Sequence, residues 1–215
     1  MDKIITILSP CSVAVPLLFG IFKYGRLESD LRIVVMFLGF ETLAQTYLAT
    51  TSLMHIKNLW IMHIDTIIEY IFLIAIFSQW QRKLLIRWLM FFSIPLIIAI
   101  AIFDMFRLEN LNMFNIYTRP ISSILMLGVL GLTLFEFNKE STTLLSRNPR
   151  FWIIPPVFVS IITTMTVFAV GNYLLLNFSK SFFDIYRVIM IINMISNIFY
   201  IGVFLCPSQQ PKSGG

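Results

Sequence analysis

Charge, cysteine and histidine are all scarce in this chain. Of 215 residues only 13% are charged, and there are two cysteines and two histidines. Cys11 and Cys206 stand near opposite ends of the sequence and, on the topology below, near opposite membrane faces, which argues against a disulfide between them and leaves no CxxC pair. With His55 assigned to a connecting loop, His63 alone cannot build the zinc centre of the seven-span metal-dependent amidases, which takes several histidines and an aspartate. A retinal Schiff base requires a lysine in the middle of the last helix, and residues 183–205 contain none. GxSxG, a phosphate loop, an ATP-binding element and the Gly-Asp motif of lysoplasmalogenase-type membrane enzymes are missing too, so neither primary active transport nor electron transfer has support. No metal and no cofactor is expected.

What fills the chain is apolar: 58% of its residues are hydrophobic and the mean hydropathy is strongly positive, outside the range of soluble domains. Runs long enough to cross a bilayer, at about 20 residues each, occur at Ile4 to Phe22, Leu31 to Leu53, Leu59 to Gln79, Leu84 to Met105, Ile116 to Phe135, Phe151 to Phe178 and Phe183 to Leu205. Their continuous hydrophobicity, without two-residue alternation, predicts helices rather than barrel strands. The fold class expected is therefore all-α, a bundle of seven transmembrane helices forming one domain over residues 1–206, with a disordered polar tail at 207–215. The start "MDKIITILSPCSV" has too short an apolar run before Cys11 for a signal peptide and is read as an uncleaved first helix. No internal repeat is found.

The formal charge of +5 follows from topology. Ten basic residues lie beside the loops after spans one, three and five or in the tail, against six on the other side, counting the inset Arg119 and Arg187. This bias orients the N terminus outside and the C terminus in the cytoplasm, as in a multi-pass protein of the bacterial inner membrane. There is no basic patch interleaved with aromatics, so nucleic acid is not a partner. Trp60, Trp80, Trp88 and Trp152 read as interface anchors. Pro10, Pro16, Pro95, Pro120, Pro155 and Pro156 would kink or open their helices, each removing a backbone donor.

Intramembrane polar residues concentrate in the outer half. Span two carries Glu41, Gln45, Thr46, Tyr47, Thr50 and Thr51, and span three opens with "WIMHIDTIIEY", which places His63, Asp65, Thr66, Glu69 and Tyr70 in an otherwise lipid-like stretch. Spans five to seven add Tyr117, Arg119, Ser122, Ser123, Thr163, Thr164, Thr166, Tyr173, Asp184, Tyr186, Arg187, Asn193, Ser196 and Asn197, whereas spans one and four have almost nothing comparable. Helical spacing puts His63, Thr66 and Tyr70 on one stripe with Asp65 and Glu69 beside it, and pairs Glu41 with Gln45. Carboxylates at that depth must be neutralised, and the cations at similar depth are Arg119 and Arg187. The expectation is an outward-open polar cavity walled by spans two, three, five, six and seven, with Glu41 and Glu69 facing Arg119 or Arg187. Two alternatives stay open: His63, Asp65 and Asp184 could lie at headgroup level, and Asn193, Asn197 and the hydroxyls could be interhelical glue.

The segments "FLGFETLAQTYL" and "NLWIMHIDTIIEY" resemble those of a group of small bacterial seven-span membrane proteins. The resemblance implies the span layout and, since no activity is established for that group, no site residue. Three functions are compatible with the residues. The first is a binding or sensory protein that takes a small or amphipathic ligand, such as a lipid, at Glu41, Gln45, His63, Thr66, Glu69, Tyr70, Tyr117, Arg119, Arg187 and Asn193, and signals to a cytoplasmic partner. The second is a lipid-processing enzyme using His63 as base with Asp65 or Glu69. The third, placed last because few polar groups continue into the inner half, is a proton-coupled transporter using Glu41 or Glu69.

Overall fold

The computed structural model describes residues 3–107, 113–140 and 147–206; the tail at 207–215 lies outside them. The fold is all-helical: α1 (Lys3–Lys23), α2 (Ser29–Leu53), α3 (Leu59–Ser78), α4 (Leu84–Arg107), α5 (Thr118–Glu140), α6 (Ile154–Asn177) and α7 (Ser179–Leu205), with short 3-10 turns at Tyr24–Arg26 and Pro149–Ile153. All seven are long and apolar enough to cross a membrane. Their outward faces are greasy: Phe22 is 86% exposed and Phe106 82%, which is tolerable only against lipid.

The start of α5 is set by polar residues around it. The first turn of α5 leaves backbone donors without intrahelical acceptors. Two side chains supply them: Asp104 Oδ2 of α4 accepts from Thr118 N (3.3 Å) and Thr118 Oγ1 (2.7 Å), and Asn115 Oδ1 accepts from Arg119 N (3.0 Å). His63 Nε2 lies 3.2 Å from the Met113 carbonyl, tying the segment ahead of α5 to α3. Pro155 and Pro156, expected to open span six, instead occupy the first turn of α6, preceded by the 3-10 turn. A missing N–H costs no helical bond there, and Pro120 sits likewise in the first turn of α5.

The helices pack in a closed ring, α1 on α2, α2 on α3, α3 on α5, α5 on α6, α6 on α7 and α7 back on α1, with α4 outside the ring against α3 and α5; as successive spans alternate in direction, the α3–α5 and α7–α1 neighbours run parallel and the others antiparallel. Tyr70 is turned toward α4, where its hydroxyl donates to Ser93 Oγ (2.7 Å). The half of the bundle nearer the chain's C-terminal end is solid, built on Val34, Leu38, Leu73, Ile74, Phe77, Leu130, Ile153 and Phe204. The other half has a smaller core around Phe114, Val167 and Phe182, and the space left within the ring there is the cavity described below.

Close packing at the solid end depends on two glycines. A Cβ at Gly202 would stand 2.6 Å from Trp152 Cδ2, and one at Gly20 would stand 2.7 Å from Val35 Cγ2. Trp152 is itself stacked on Phe199 and has no easy retreat. Gly202→Ala is therefore expected to destabilise the bundle by roughly 1–3 kcal/mol, read as a lowered midpoint in thermal unfolding. Gly128→Ala, with nothing within 4 Å, serves as the silent comparison.

Trp80 departs from the interface role expected of it. It is 7% exposed and its Nε1 donates to Asp30 Oδ2 (2.7 Å), which also accepts from Arg150 Nε (2.7 Å). Buried Asp30 draws the indole inward because a carboxylate taken out of water requires donors on every lone pair. The same end is held by Lys23 Nζ donating to the Phe204 carbonyl (2.6 Å) and Gln81 Nε2 to Thr133 Oγ1 (3.0 Å).

Candidate functional site

A cavity of about 280 Å³ opens inside the ring between α1, α2, α3, α5, α6 and α7. It runs from the α2–α3 connection, at Ser52 and Asn58, down to Glu41, Glu69 and Ser160. Helical periodicity makes it: α2 turns Ser52, Ala49, Leu48, Gln45 and Glu41 to one face, and α3 turns Met62, Asp65, Thr66 and Glu69 to another. Asn58 fixes the mouth, its Nδ2 donating to the Leu48 carbonyl (3.1 Å) and Thr51 Oγ1 (2.9 Å).

Three carboxyl groups meet on its floor. Glu41, Asp65 and Glu69 each offer an oxygen, and the three oxygens lie within 4.8 Å of one another. The cation facing them is Arg119, which is 9% exposed and pairs with Glu69 through NH1 and Oε2. Its NH2 is 3.5 Å from Thr164 Oγ1, and its guanidinium carbon lies 5.8 Å from the centre of the Phe168 ring. The capped start of α5 holds this arginine in place. Even so, three carboxyls face one guanidinium. Glu41 Oε1, Asp65 Oδ1, Asn193 Oδ1 and Arg119 Nε are buried without a hydrogen-bond partner among the described residues, and an enclosed polar atom of that kind is costly unless something else satisfies it. The surplus negative charge must be balanced by protons or by a cation from outside the chain.

Apolar rings face this floor. Phe114, Phe168, Phe182 and Phe183, with Met62 and Met190, line the upper wall; Phe114 packs edge-on against Phe168 (5.6 Å between centroids) and tilted against Phe182 (5.1 Å). The cavity thus has an anionic floor and an aromatic wall.

The structure sorts the sequence candidates. Glu41, Gln45, Asp65, Thr66, Glu69, Arg119 and Asn193 line the cavity. His63 does not; it is buried, with Nε2 against the Met113 carbonyl. Tyr70 bonds to α4 and Tyr117 is exposed. Arg187, the alternative partner for the glutamates, is engaged with Asp184 (3.3 Å) in a surface pair. The wall also includes α1, which is not among the five spans expected to form it. Thr6, Ser9 and Pro10 line the cavity, and Ser9 Oγ donates to Gln45 Oε1 (3.4 Å). The sign was present as Thr6, Ser9 and Pro10 at helical spacing, but two small hydroxyls in a 21-residue apolar helix look like ordinary helix glue. Ser160 of α6 was missed for the same reason.

A second, smaller cavity of about 50 Å³ lies beyond the carboxyl floor. Its wall includes Ser196, Asn197 and Tyr200 of α7, with Pro156 and Val157 of α6 and Phe37 and Leu38 of α2. Asn197 Nδ2 donates to Ser12 Oγ (2.9 Å) across the α1–α7 contact.

No family model matches this chain, and neither a curated protein nor a solved structure matches it.

Proposed function

We propose that this is an integral-membrane binding protein whose larger cavity takes a small or amphipathic ligand with a cationic group. The observation that carries this reading is the imbalance on the cavity floor, where Glu41 and Asp65 keep buried oxygens without partners among the described residues while Arg119 is occupied by Glu69. A ligand amine or quaternary ammonium restores neutrality, and its apolar part lies against Phe114, Phe168 and Phe182, where ring faces also attract cations. A cavity of about 280 Å³ is near the lower end of small-molecule sites, which suits a compact ligand. The bias of basic residues toward one set of loops supports a mouth facing outward across the cell membrane. A signal from this cavity would pass to a cytoplasmic partner.

The test is thermal stabilisation of the purified protein by alkyl amines or alkyl quaternary ammonium compounds against alkyl sulfates of the same chain length. The cations should raise the unfolding midpoint in a saturable, concentration-dependent way and the sulfates should not. Glu41→Gln and Asp65→Asn should each weaken that response by roughly tenfold or more. Equal stabilisation by cations and sulfates would remove the charge argument and with it this reading.

A further inference from the structure

The two cavities are not separate features. Glu41, Gln45, Glu69, Ser160 and Asn193 line both of them, so these side chains form a thin septum with space on either side. The α7 positions Tyr186, Asn193, Ser196, Asn197 and Tyr200 follow helical spacing along one face, reaching from the larger cavity to the far end of the smaller. At about 1.5 Å per residue, that stripe extends roughly 20 Å of the roughly 30 Å hydrocarbon thickness. Ser52 to Phe37 on α2 covers a similar length on the opposite wall.

We propose that the septum is a proton relay, and that the protein moves protons across the membrane between the two cavities. The smaller cavity, at about 50 Å³, has room for a few waters at roughly 10–15 Å³ each, and its amide and hydroxyl groups supply the partners that such waters need. A proton passes from hydronium in the larger cavity, whose O–H bond breaks to leave water, to a carboxylate oxygen of Glu41, forming its O–H bond. It leaves to a water beside Asn197 as that bond breaks, and the carboxylate is restored, so one proton is displaced with no other change. The charged and titratable groups facing Glu41 are Asp65 and Glu69 of α3, Arg119 of α5, and Tyr186 and Tyr200 of α7; α1 and α6 turn only hydroxyls, prolines and apolar groups to the two cavities. Arg119 sets the charge of the relay by holding Glu69, which leaves Glu41 to carry the proton. Past Tyr200, only the last five residues of α7 remain, about 8 Å, packed into the solid half of the bundle around Val203 and Phe204. That stretch must open for each passage, so the flux is slow and carrier-like. The relay does not rest on the binding reading, and a cation seated on Glu41 would compete with the proton it carries.

The experiment uses the full chain in phospholipid vesicles with a pH-sensitive dye inside and a potassium diffusion potential, negative inside, imposed with valinomycin. Wild-type protein should acidify the lumen faster than protein-free vesicles do. Glu41→Gln should return the rate to that of protein-free vesicles. Asn197→Leu, which fills the smaller cavity with an apolar group and leaves every carboxyl in place, should do the same while keeping stabilisation by alkyl amines. Asp184→Asn, in the surface pair, should keep the wild-type rate. Wild-type flux no faster than that of empty vesicles overturns the proposal, as does a wild-type rate in folded Glu41→Gln or in Asn197→Leu. If Glu41→Gln does not fold, Asn197→Leu decides alone. Failure to bind amines with flux intact would instead remove only the binding reading.

Discussion

Arg119→Met is expected to cost the folded bundle about 3–5 kcal/mol, the range for breaking a buried ion pair by removing one partner. The exposure of Arg119 is 9%, so solvent does little to soften the loss. Methionine fills much of the same volume but leaves Glu41, Asp65 and Glu69 together with no facing cation, and Thr164 and Phe168 lose their contacts with the guanidinium. A like-charge cluster in low dielectric is then balanced only by taking up protons. Arg119→Lys restores the charge without the planar fork, and should recover part of the stability. Arg119→Met combined with Glu69→Gln should be less destabilised than the sum of the two single changes, because the second removes a carboxylate that the first left unpaired. Thermal or denaturant unfolding in detergent measures the four variants against wild type. Wild-type stability in Arg119→Met would mean that the carboxyl cluster is neutral in the folded protein without its arginine.

The fold was legible because its signal is redundant: each span is an apolar run of bilayer length bounded by polar connections, and the structure places helices over all seven with ends shifted by a few residues. Those shifts have local causes. The apolar run of span five ends at Phe135, yet the helix continues to Glu140, since Glu136 and Phe137 are buried and backbone bonds continue where packing still rewards them. The apolar run of span six begins at Phe151, where the chain makes a 3-10 turn through Pro149–Ile153 before the prolines enter the first helical turn.

The carboxyl side of the site was equally legible, because Glu41, Asp65 and Glu69 in lipid-like runs stand out against their surroundings. Asp65 could equally have marked the membrane surface, and only the meeting of α2 with α3 shows that it turns toward Glu41 and Glu69. His63 was misread for a reason that spacing cannot show. It shares a stripe with Thr66 and Tyr70, but Thr66 lines the cavity while Tyr70 reaches α4 and His63 reaches the segment before α5. One helix stripe can border two neighbours, and depth gives no information about azimuth. Arg187 lay at the expected depth and yet found Asp184 three residues away, a nearer partner than any glutamate. The inner polar groups that would have favoured a path through the protein, Ser196, Asn197 and Tyr200, were too few to stand out as a run. They become a feature only when α1, α2 and α6 close around them.

Asp30 carries the other large expected effect. Its carboxylate is 3% exposed and accepts from Leu31 N (3.0 Å), Trp80 Nε1 (2.7 Å) and Arg150 Nε (2.7 Å), joining the starts of α2 and α6 to the end of α3. Asp30→Ala removes the acceptor and strands two of these donors differently. Trp80, at 7% exposure, cannot reach water and bears the full penalty of an unmade hydrogen bond, whereas the Arg150 side chain, 35% exposed, can turn outward. The expected loss is about 2–4 kcal/mol, the sum of an unsatisfied buried donor and a discounted buried ion pair. Glu28, the second carboxylate on Arg150 at 2.8 Å, has a side chain 47% exposed, and Glu28→Ala should cost under about 1 kcal/mol. Arg150→Ala should resemble Asp30→Ala rather than Glu28→Ala, because it leaves a buried carboxylate with its indole and amide donors but no cation. Hydrogen exchange gives the decisive readout: Asp30→Ala and Arg150→Ala should raise exchange in the first turn of α2 and in Pro149–Ile153, while the α2–α3 connection at the cavity mouth keeps its protection. Equal costs for Asp30→Ala and Glu28→Ala would mean that the solid end is held by Phe77, Ile153 and Phe204 alone, with the polar clasp contributing nothing.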